Sequence, residues 1–269
     1  MAQIKFFRKN HLDLNRPNAS ITITDLIALN NGQNSVSQLR NRNNITGWLT
    51  TGSTDAANTI ILSEFGDLLN VDHIQMIKHN FKNYLIEWLD VFDVWNEYEN
   101  ITNNTIETTI HSKDTPVQTR AIRITIYNTF VADTDKEMRQ LIITEFLYQF
   151  EGYPILNNPL LSRSRKENKM GSGKSNITKT IPTFSVELQV TVTSIENDLR
   201  IHQNLYERKE GVLMLITGGD ESQFRSNRAN YRNEDIVLVL PSDEYQNKFY
   251  KGVTSNGIQM KIKLTEVDR

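Results

Sequence analysis

Alternation of apolar and polar residues is the dominant pattern in the first half of the chain. The clearest run reads Arg-Ala-Ile-Arg-Ile-Thr-Ile-Tyr, in which Ile122, Ile124 and Ile126 would face one side of a strand, and Arg123 and Thr125 the other. Similar short runs, separated by turn-forming residues and with little helical periodicity, recur throughout this half. The pattern therefore predicts a β-sandwich of the jelly-roll kind.

The last third of the chain combines strand and helix patterns. Residues 184–192 alternate as a strand. Thr193 and Glu196 then form a capping-box pattern ahead of apolar residues at helical spacing, and Gly211 stands where a helix C′ glycine belongs. Further apolar runs follow. We predict a smaller α+β domain with one helix, so that the whole chain is mainly β.

A polar, basic stretch with Gly and Ser residues lies between these two regions. It predicts a linker or long exposed loop. The expected organisation is a β-sandwich domain with an N-terminal arm over residues 1–155, a linker or loop over 156–180, and the smaller domain over 181–269.

Gly171-Ser172-Gly173-Lys174-Ser175 is similar to the end of a phosphate-binding loop. The full motif needs a glycine five residues before the Gly-Lys pair, where this chain has Asn168, and it needs a strand before and a helix after. A basic polar stretch precedes the run instead. We interpret it as part of the linker.

Composition narrows the possible functions. The formal net charge of the 269 residues is −2, so no basic excess is available to neutralise a nucleic-acid backbone. Cysteine is absent, which excludes disulfides, Cys-ligated zinc and thiol catalysis. We expect neither a signal peptide nor a membrane span, because no long apolar run occurs.

No catalytic constellation stands out. The carboxylates are scattered, no metal-binding His spacing occurs, and His79 is interpreted as satisfying backbone groups at a strand end. The loop residues Asp133, Asp135, Lys136 and Glu137 include possible calcium ligands, but a solvated charged loop is the favoured interpretation. We predict a protein that is not an enzyme and has no metal site or cofactor.

A glycan site is the alternative that the aromatic residues suggest. Trp48 is flanked by polar loops, with Asn43 and Asp55 nearby in the sequence, and aromatic faces beside such groups are typical of carbohydrate sites. These three residues form the candidate site. The competing interpretation places Trp48 in the core.

Four segments of the first half carry a family resemblance: Leu29–Asn34, Arg42–Asn44, Trp48–Asp55 and Lys78–Lys82. They resemble segments of discoidin-like (F5/8 type C, galactose-binding-like) jelly-roll modules found in phage virion proteins. The last of them corresponds to a Gly-His-Asn-Phe strand end in such modules, and Lys78 stands in place of the glycine. Residues 217–225 and 231–236 resemble a partner domain of the same virion proteins.

The resemblance implies a structural component of a phage or phage-like virion, in the tail, baseplate or head–tail region, assembled in the host cytoplasm. Its partners would be other virion proteins and copies of itself in a symmetric oligomer, with carbohydrate binding for host attachment as the alternative function. Arg163, Arg165 and Lys166 are the expected assembly contacts. The arm from Ala2 to Asn15 is expected to add a strand to a neighbouring sheet.

Overall fold

The computed structural model describes residues 3–40, 46–150, 155–162, 165–169, 175–179, 183–191, 195–207, 211–217, 236–241, 247–249 and 258–266. The strands of the first half are β1 (Gln3–Phe7), β2 (Ser20–Asp25), β3 (Trp48–Leu49), β4 (Thr59–Ile77), β5 (Phe81–Leu89), β6 (Trp95–Ile101), β7 (Thr109–Thr129), β8 (Glu137–Met138) and β9 (Gln140–Thr144). Those that follow are β10 (Phe146–Gln149), β11 (Ile155–Ser162), β12 (Arg165–Lys169), β13 (Ser175–Lys179), β14 (Thr183–Thr191), β15 (Val212–Thr217), β16 (Ile236–Pro241), β17 (Asn247–Phe249) and β18 (Ile258–Glu266).

Two helical segments accompany the strands in the residues that the structure describes. A 3-10 helix spans Gln33–Arg40, and an α-helix, α1, spans Ile195–Glu207. The position of α1 confirms the predicted helix. Neither helix in the described part of the chain is long and apolar enough to cross a membrane.

The chain divides into two compact units. Residues Lys9–Phe146 form the first, which we call the sandwich unit, and Met1–Arg8 with Leu147–Asp268 form the second. The structure confirms the mainly β class, but it places the division near residue 146 instead of 155.

The sandwich unit is built on a six-stranded antiparallel sheet. Its strand order is β2-β4-β7-β5-β6, with β9 also pairing with β4, and a second small sheet pairs β3 with β8. The predicted alternation in β7 is confirmed: Ile122, Ile124 and Ile126 are fully buried, whereas Arg123 forms an ion pair with Glu87 at 2.7 Å. Apolar burial on one face of the long strands β4 and β7 thus builds the core.

The second unit is an eight-stranded sheet with α1 packed on it. The order is β10-β1-β15-β16-β18-β14-β11, and β17 pairs with β18. Ile201 and Leu205 of α1 share a core with Ile4, Phe6 and Met214. This α+β unit is larger than expected because it recruits strands from both ends of the chain.

The predicted linker over 156–180 is wrong where the structure describes it. β11 pairs with β14, and β12 pairs with β13 as an antiparallel hairpin. The polar composition of this stretch gave no sign of strands, because a hairpin can form through hydrogen bonds between backbone groups alone.

The N-terminal segment is also not a free arm. β1 pairs antiparallel with β15 of its own second unit. Residues 10–13 are buried in the sandwich unit, where Asn10 Nδ2 donates to the Leu141 carbonyl at 3.0 Å and Leu12 joins the core. The expected strand addition therefore occurs within the chain.

Truncating Phe6 should test the role of β1. Because this ring is fully buried in the core of the second unit, Phe6→Ala should lower the free energy of unfolding by about 3–5 kcal/mol in guanidinium denaturation. Lys5→Ala, at the adjacent half-buried position, is the control and should cost less than about 1 kcal/mol. If the two variants lost the same free energy of unfolding, the side chain of Phe6 would contribute nothing to the core of the second unit.

Candidate functional site

The exit of strand β4 is a sharp turn held from both sides. Lys78 follows the last residue of β4 and has a positive φ of 50°. Its N–H donates to Thr108 Oγ1 at 3.2 Å, and the N–H of His79 donates to the Glu107 carbonyl at 2.7 Å. These bonds fasten the turn to the loop that precedes β7.

Asn80 fastens the same turn to the loop over residues 130–137. Its Nδ2 donates to the Asp135 carbonyl at 2.7 Å, and its Oδ1 accepts from the N–H of Glu137 at 3.1 Å. The Asn80 carbonyl accepts from the N–H of Phe130 at 2.9 Å. Since every polar group of its side chain is engaged, Asn80 acts as a frame residue.

A cleft of about 510 Å³ opens between these loops. Its charged lining consists of Lys78, Glu107, Asp135, Glu137 and Arg139. The apolar part of the wall includes Leu49, Phe130 and Val131.

Three of the charged groups in the cleft are uncommitted. No described residue pairs with the ammonium of Lys78 or with the carboxylates of Glu107 and Glu137. Asp135 differs, because its Oδ1 accepts from Thr50 Oγ1 at 3.1 Å and from the N–H of Ser53 at 2.9 Å.

A fully buried ammonium organises the loop behind Asp135. Lys136 Nζ donates to Ser53 Oγ at 2.7 Å and to the carbonyl of Thr54, and it lies 3.9 Å from Asp25 Oδ2. The Ala57 carbonyl lies 3.5 Å away. An all-oxygen environment of this kind compensates the ammonium for the loss of water.

Asp25 is the buried counter-charge of Lys136. Burial opposes its charged form, but hydrogen bonds from Thr59, the N–H of Ala28, Ser53 and the N–H of Ile27 outweigh burial and lower its pKa. The carboxylate therefore stays ionised beside the ammonium and ties β2 to the loop before β4.

The candidate glycan residues predicted from the sequence are not gathered into one site. Asp55 is half-buried, and its carboxylate accepts from the N–H groups of Thr129 and Asp133 at 3.3 and 3.2 Å, so it fastens loops together. Asn43 lies outside the described residues.

Trp48 is a core residue, which corrects the stacking hypothesis. Its side chain is 1% exposed and packs edge-on against Phe81, with ring centroids 6.4 Å apart. Its Nε1 donates to the Asn31 carbonyl at 2.9 Å, and Gly32 passes so close to the indole that a Cβ would lie 2.4 Å from Nε1. The polar residues near Trp48 in the sequence therefore do not mark an exposed aromatic face, because the indole ring is buried.

The expected assembly residues are only partly described. Arg165 and Lys166 lie in β12, and Arg163 is outside the described residues. Their role as contacts stays a prediction.

Sequence reasoning missed the groups that define the cleft. Lys136 was interpreted as part of a solvated loop, because nothing local marks a lysine whose partners lie about 80 residues earlier. Lys78 did carry a signal, since it replaces a glycine in the strand-end pattern. Across the described residues, no cluster of three or more His, Asp or Glu side chains could hold a metal ion.

A network of polar side chains extends from His79, which lines the cleft. His79 Nδ1 accepts from the N–H of Phe81 at 3.1 Å, which leaves Nε2 to donate to Thr109 Oγ1 at 3.0 Å. Tyr84 and His111 contact the same Thr109 hydroxyl at 3.2 and 3.0 Å. The backbone role predicted for His79 is confirmed.

Burial keeps these histidines neutral. Desolvation, and secondarily the charge of His111, lower the pKa of His79 to about 3. Desolvation also lowers the pKa of His111, against a hydrogen bond and ion pair to Glu99 that act in the opposite direction.

Acid should destabilise the protein through these histidines. An unfolded imidazole has a pKa of about 6.5, so the unfolded state binds more protons than the folded state between that value and about 3. The contribution of each histidine to the free energy of unfolding should be fully present above about pH 6.5. Below that pH the free energy of unfolding should fall by up to about 1.4 kcal/mol per pH unit and per histidine.

NMR of the His79 ring provides the direct measurement. The His79 Cε1–H signal of the folded protein should not titrate between about pH 7 and about pH 4.5. A titration near pH 6.5 in a protein that remains folded would contradict the buried neutral state.

Removing the Lys136 ammonium should be strongly destabilising. Lys136→Met leaves the Asp25 carboxylate and the Thr54 carbonyl without their buried partner, which should cost about 3–5 kcal/mol in chemical denaturation. Lys82→Met, at a half-buried position on β5, is the matched control and should change stability by less than about 1 kcal/mol. A cost as small for Lys136→Met would show that the oxygen cage does not organise the loop.

Comparisons with known proteins give similarities in structure alone. No protein-family model matches the chain, and no curated protein matches it in sequence. A Ruminococcus gnavus GH29 fucosidase in complex with fucose is 15% identical, covers 52% of this chain and 27% of its own, and has a TM-score of 0.42.

Two carbohydrate-binding modules align over nearly their whole length. The family 32 module from Streptococcus pneumoniae EndoD is 12% identical, covers 51% of this chain and 99% of its own, and has a TM-score of 0.40. The family 32 module from C. perfringens NanJ, in complex with galactose, is 16% identical, covers 53% and 99%, and has a TM-score of 0.39. None of these three is a phage tail or baseplate protein.

Proposed function

We propose that the chain is a carbohydrate-binding protein and that the cleft at the exit of β4 is its sugar site. The observation that supports this most directly is that some polar side chains of the cleft hold its loops together while others make no such bonds. The frame residues Asn80 and Asp135 are committed to the loops, whereas the side chains of Lys78, Glu107 and Glu137 have no partner among the described residues and are available to a ligand.

The three free groups match the chemistry of sugar hydroxyls. A hydroxyl can donate to a carboxylate and accept from an ammonium, and hydrogen bonds to charged groups are stronger than neutral ones. Phe130 and Val131 supply an apolar wall for the C–H face of a ring. The volume also lies in the range of small-molecule sites, about 300–1,000 Å³.

The balance of charge among these side chains disfavours an acidic sugar. Two free carboxylates face one free ammonium, so a uronic or sialic acid would meet net repulsion. Neutral glycans with adjacent hydroxyls are therefore the proposed ligand class.

Binding is favoured over hydrolysis. A glycosidase needs a general acid, which is usually a carboxyl group held in an apolar environment. Glu107 and Glu137 are both exposed. Their exposure suits them to contact a ligand that is held and released unchanged.

The virion-assembly hypothesis stays a prediction. The feature that favours it is a run of exposed apolar residues in the loop after β2, because clustered apolar side chains are typical of docking surfaces: Leu26 is 87% exposed, Ile27 41% and Leu29 89%. Virion partners, a symmetric oligomer and location in a particle are proposals of the same standing. A glycan site on the sandwich unit is compatible with them.

Glycan binding is tested with a glycan array followed by calorimetric titration. Galactose and fucose are the first probes, because they are the ligands named for two of the similar structures. Glu107→Gln should weaken binding about tenfold or more through loss of a charged acceptor, whereas Glu97→Gln, on an exposed position of β6, should have no effect. The proposal fails if no neutral glycan binds the wild-type protein.

A further inference from the structure

Lys78 has an unusual backbone conformation. Four described residues other than glycine have a positive φ, namely Lys78, Asp93, Asn103 and Asp133. Asp and Asn tolerate this region because their short side chains bond to the nearby backbone, whereas lysine has no such compensation. Lys78 is therefore strained at a position that glycine would occupy without cost.

The surrounding structure holds the strain in place. Its own N–H is held by Thr108 Oγ1 and the next N–H by the Glu107 carbonyl, while the carbonyl of the preceding Ile77 accepts from the N–H of Arg139 at 3.0 Å. These bonds explain how the conformation persists. They use only backbone groups at 77–79, so they do not explain why the residue is lysine.

The location of its side chain gives a reason why residue 78 is a lysine. Lys78 lines the cleft, and its ammonium has no partner among the residues that the structure describes. Arg139, the other cation of the cleft, already has contacts of its own. Strained conformations are found where a ligand needs a group in that position.

We propose that Lys78 is a specificity-determining residue of the sugar site, at which stability is given up to present an ammonium to a ligand hydroxyl. This proposal rests on the proposed function, because it concerns the same cleft. It predicts that stability and affinity change in opposite directions when the residue becomes glycine.

The test measures both quantities on three variants of the full chain. Lys78→Gly removes the strain and the ammonium, so its melting temperature should rise by about 3 °C and its affinity for the neutral glycan bound by the wild type should fall about tenfold. Lys78→Arg keeps a cation and should retain most of the affinity.

Asp93→Gly is the control for introducing a glycine at a positive-φ position outside the cleft. Asp93 has a φ of 62°, is exposed in the loop between β5 and β6, and does not line the cleft. This variant should bind the glycan as the wild type does. A loss of affinity here would show that the binding assay responds to a glycine introduced outside the cleft, and it would overturn the inference.

The outcomes separate the two proposals. If Lys78→Gly is more stable and binds as tightly as the wild type, the role of Lys78 is overturned while glycan binding stands. If Lys78→Gly is less stable, the premise of strain is wrong and the inference fails. If the wild type binds neither galactose nor fucose nor any other neutral glycan of the array, the proposed function itself fails, and the role of Lys78 with it.

Discussion

The buried ammonium of Lys136 is the constraint on which the cleft depends. It joins the Asp25 carboxylate of β2 to Ser53 and to the Thr54 carbonyl, and both charged groups are completely removed from water. A buried ion pair is costly unless its remaining polar atoms are satisfied, so the loop has little freedom to adopt another arrangement. The chain neighbours of Lys136 are Asp135 and Glu137, both of which line the cleft.

The residues whose side chains hold the loops around the cleft are different from those whose side chains could contact a ligand. Asn80, Asp55 and Asp135 use their side chains to fasten one loop to another. Lys78 and Glu107 contribute only backbone atoms to that frame, and their charged side chains have no partner in the described part of the chain. A ligand would thus meet side chains whose backbone is already fixed, so that only their rotamers would have to be ordered on binding.

His79, which lines the cleft, and its partners Tyr84 and His111 are uncharged at neutral pH. His79, Tyr84 and His111 converge on the hydroxyl of Thr109, and burial raises the pKa of Tyr84 to about 12 while lowering those of both histidines. Such a network is stabilising only while its members keep their neutral forms and hydrogen-bond partners. The acid stability of the sandwich unit therefore depends on these side chains staying neutral.

The sequence by itself determined the class of the protein and several of its elements. Ile122, Ile124 and Ile126 alternate with polar residues, and that periodicity alone decides which face of a strand is buried. The capping pattern and apolar spacing before Gly211 likewise sufficed to place α1. Local patterns of this kind act between residues that are neighbours along the chain.

Only the tertiary structure decided which polar residues are buried and which are free. Trp48 lies in a polar run and yet is covered, because the turn at Gly32 closes over it. Lys136 lies among acidic residues and yet is fully buried, because its oxygen partners come from distant segments. β1 finds its partner strand more than 200 residues away. Burial and pairing across such separations depend on the fold as a whole, and no local pattern of residues encodes them.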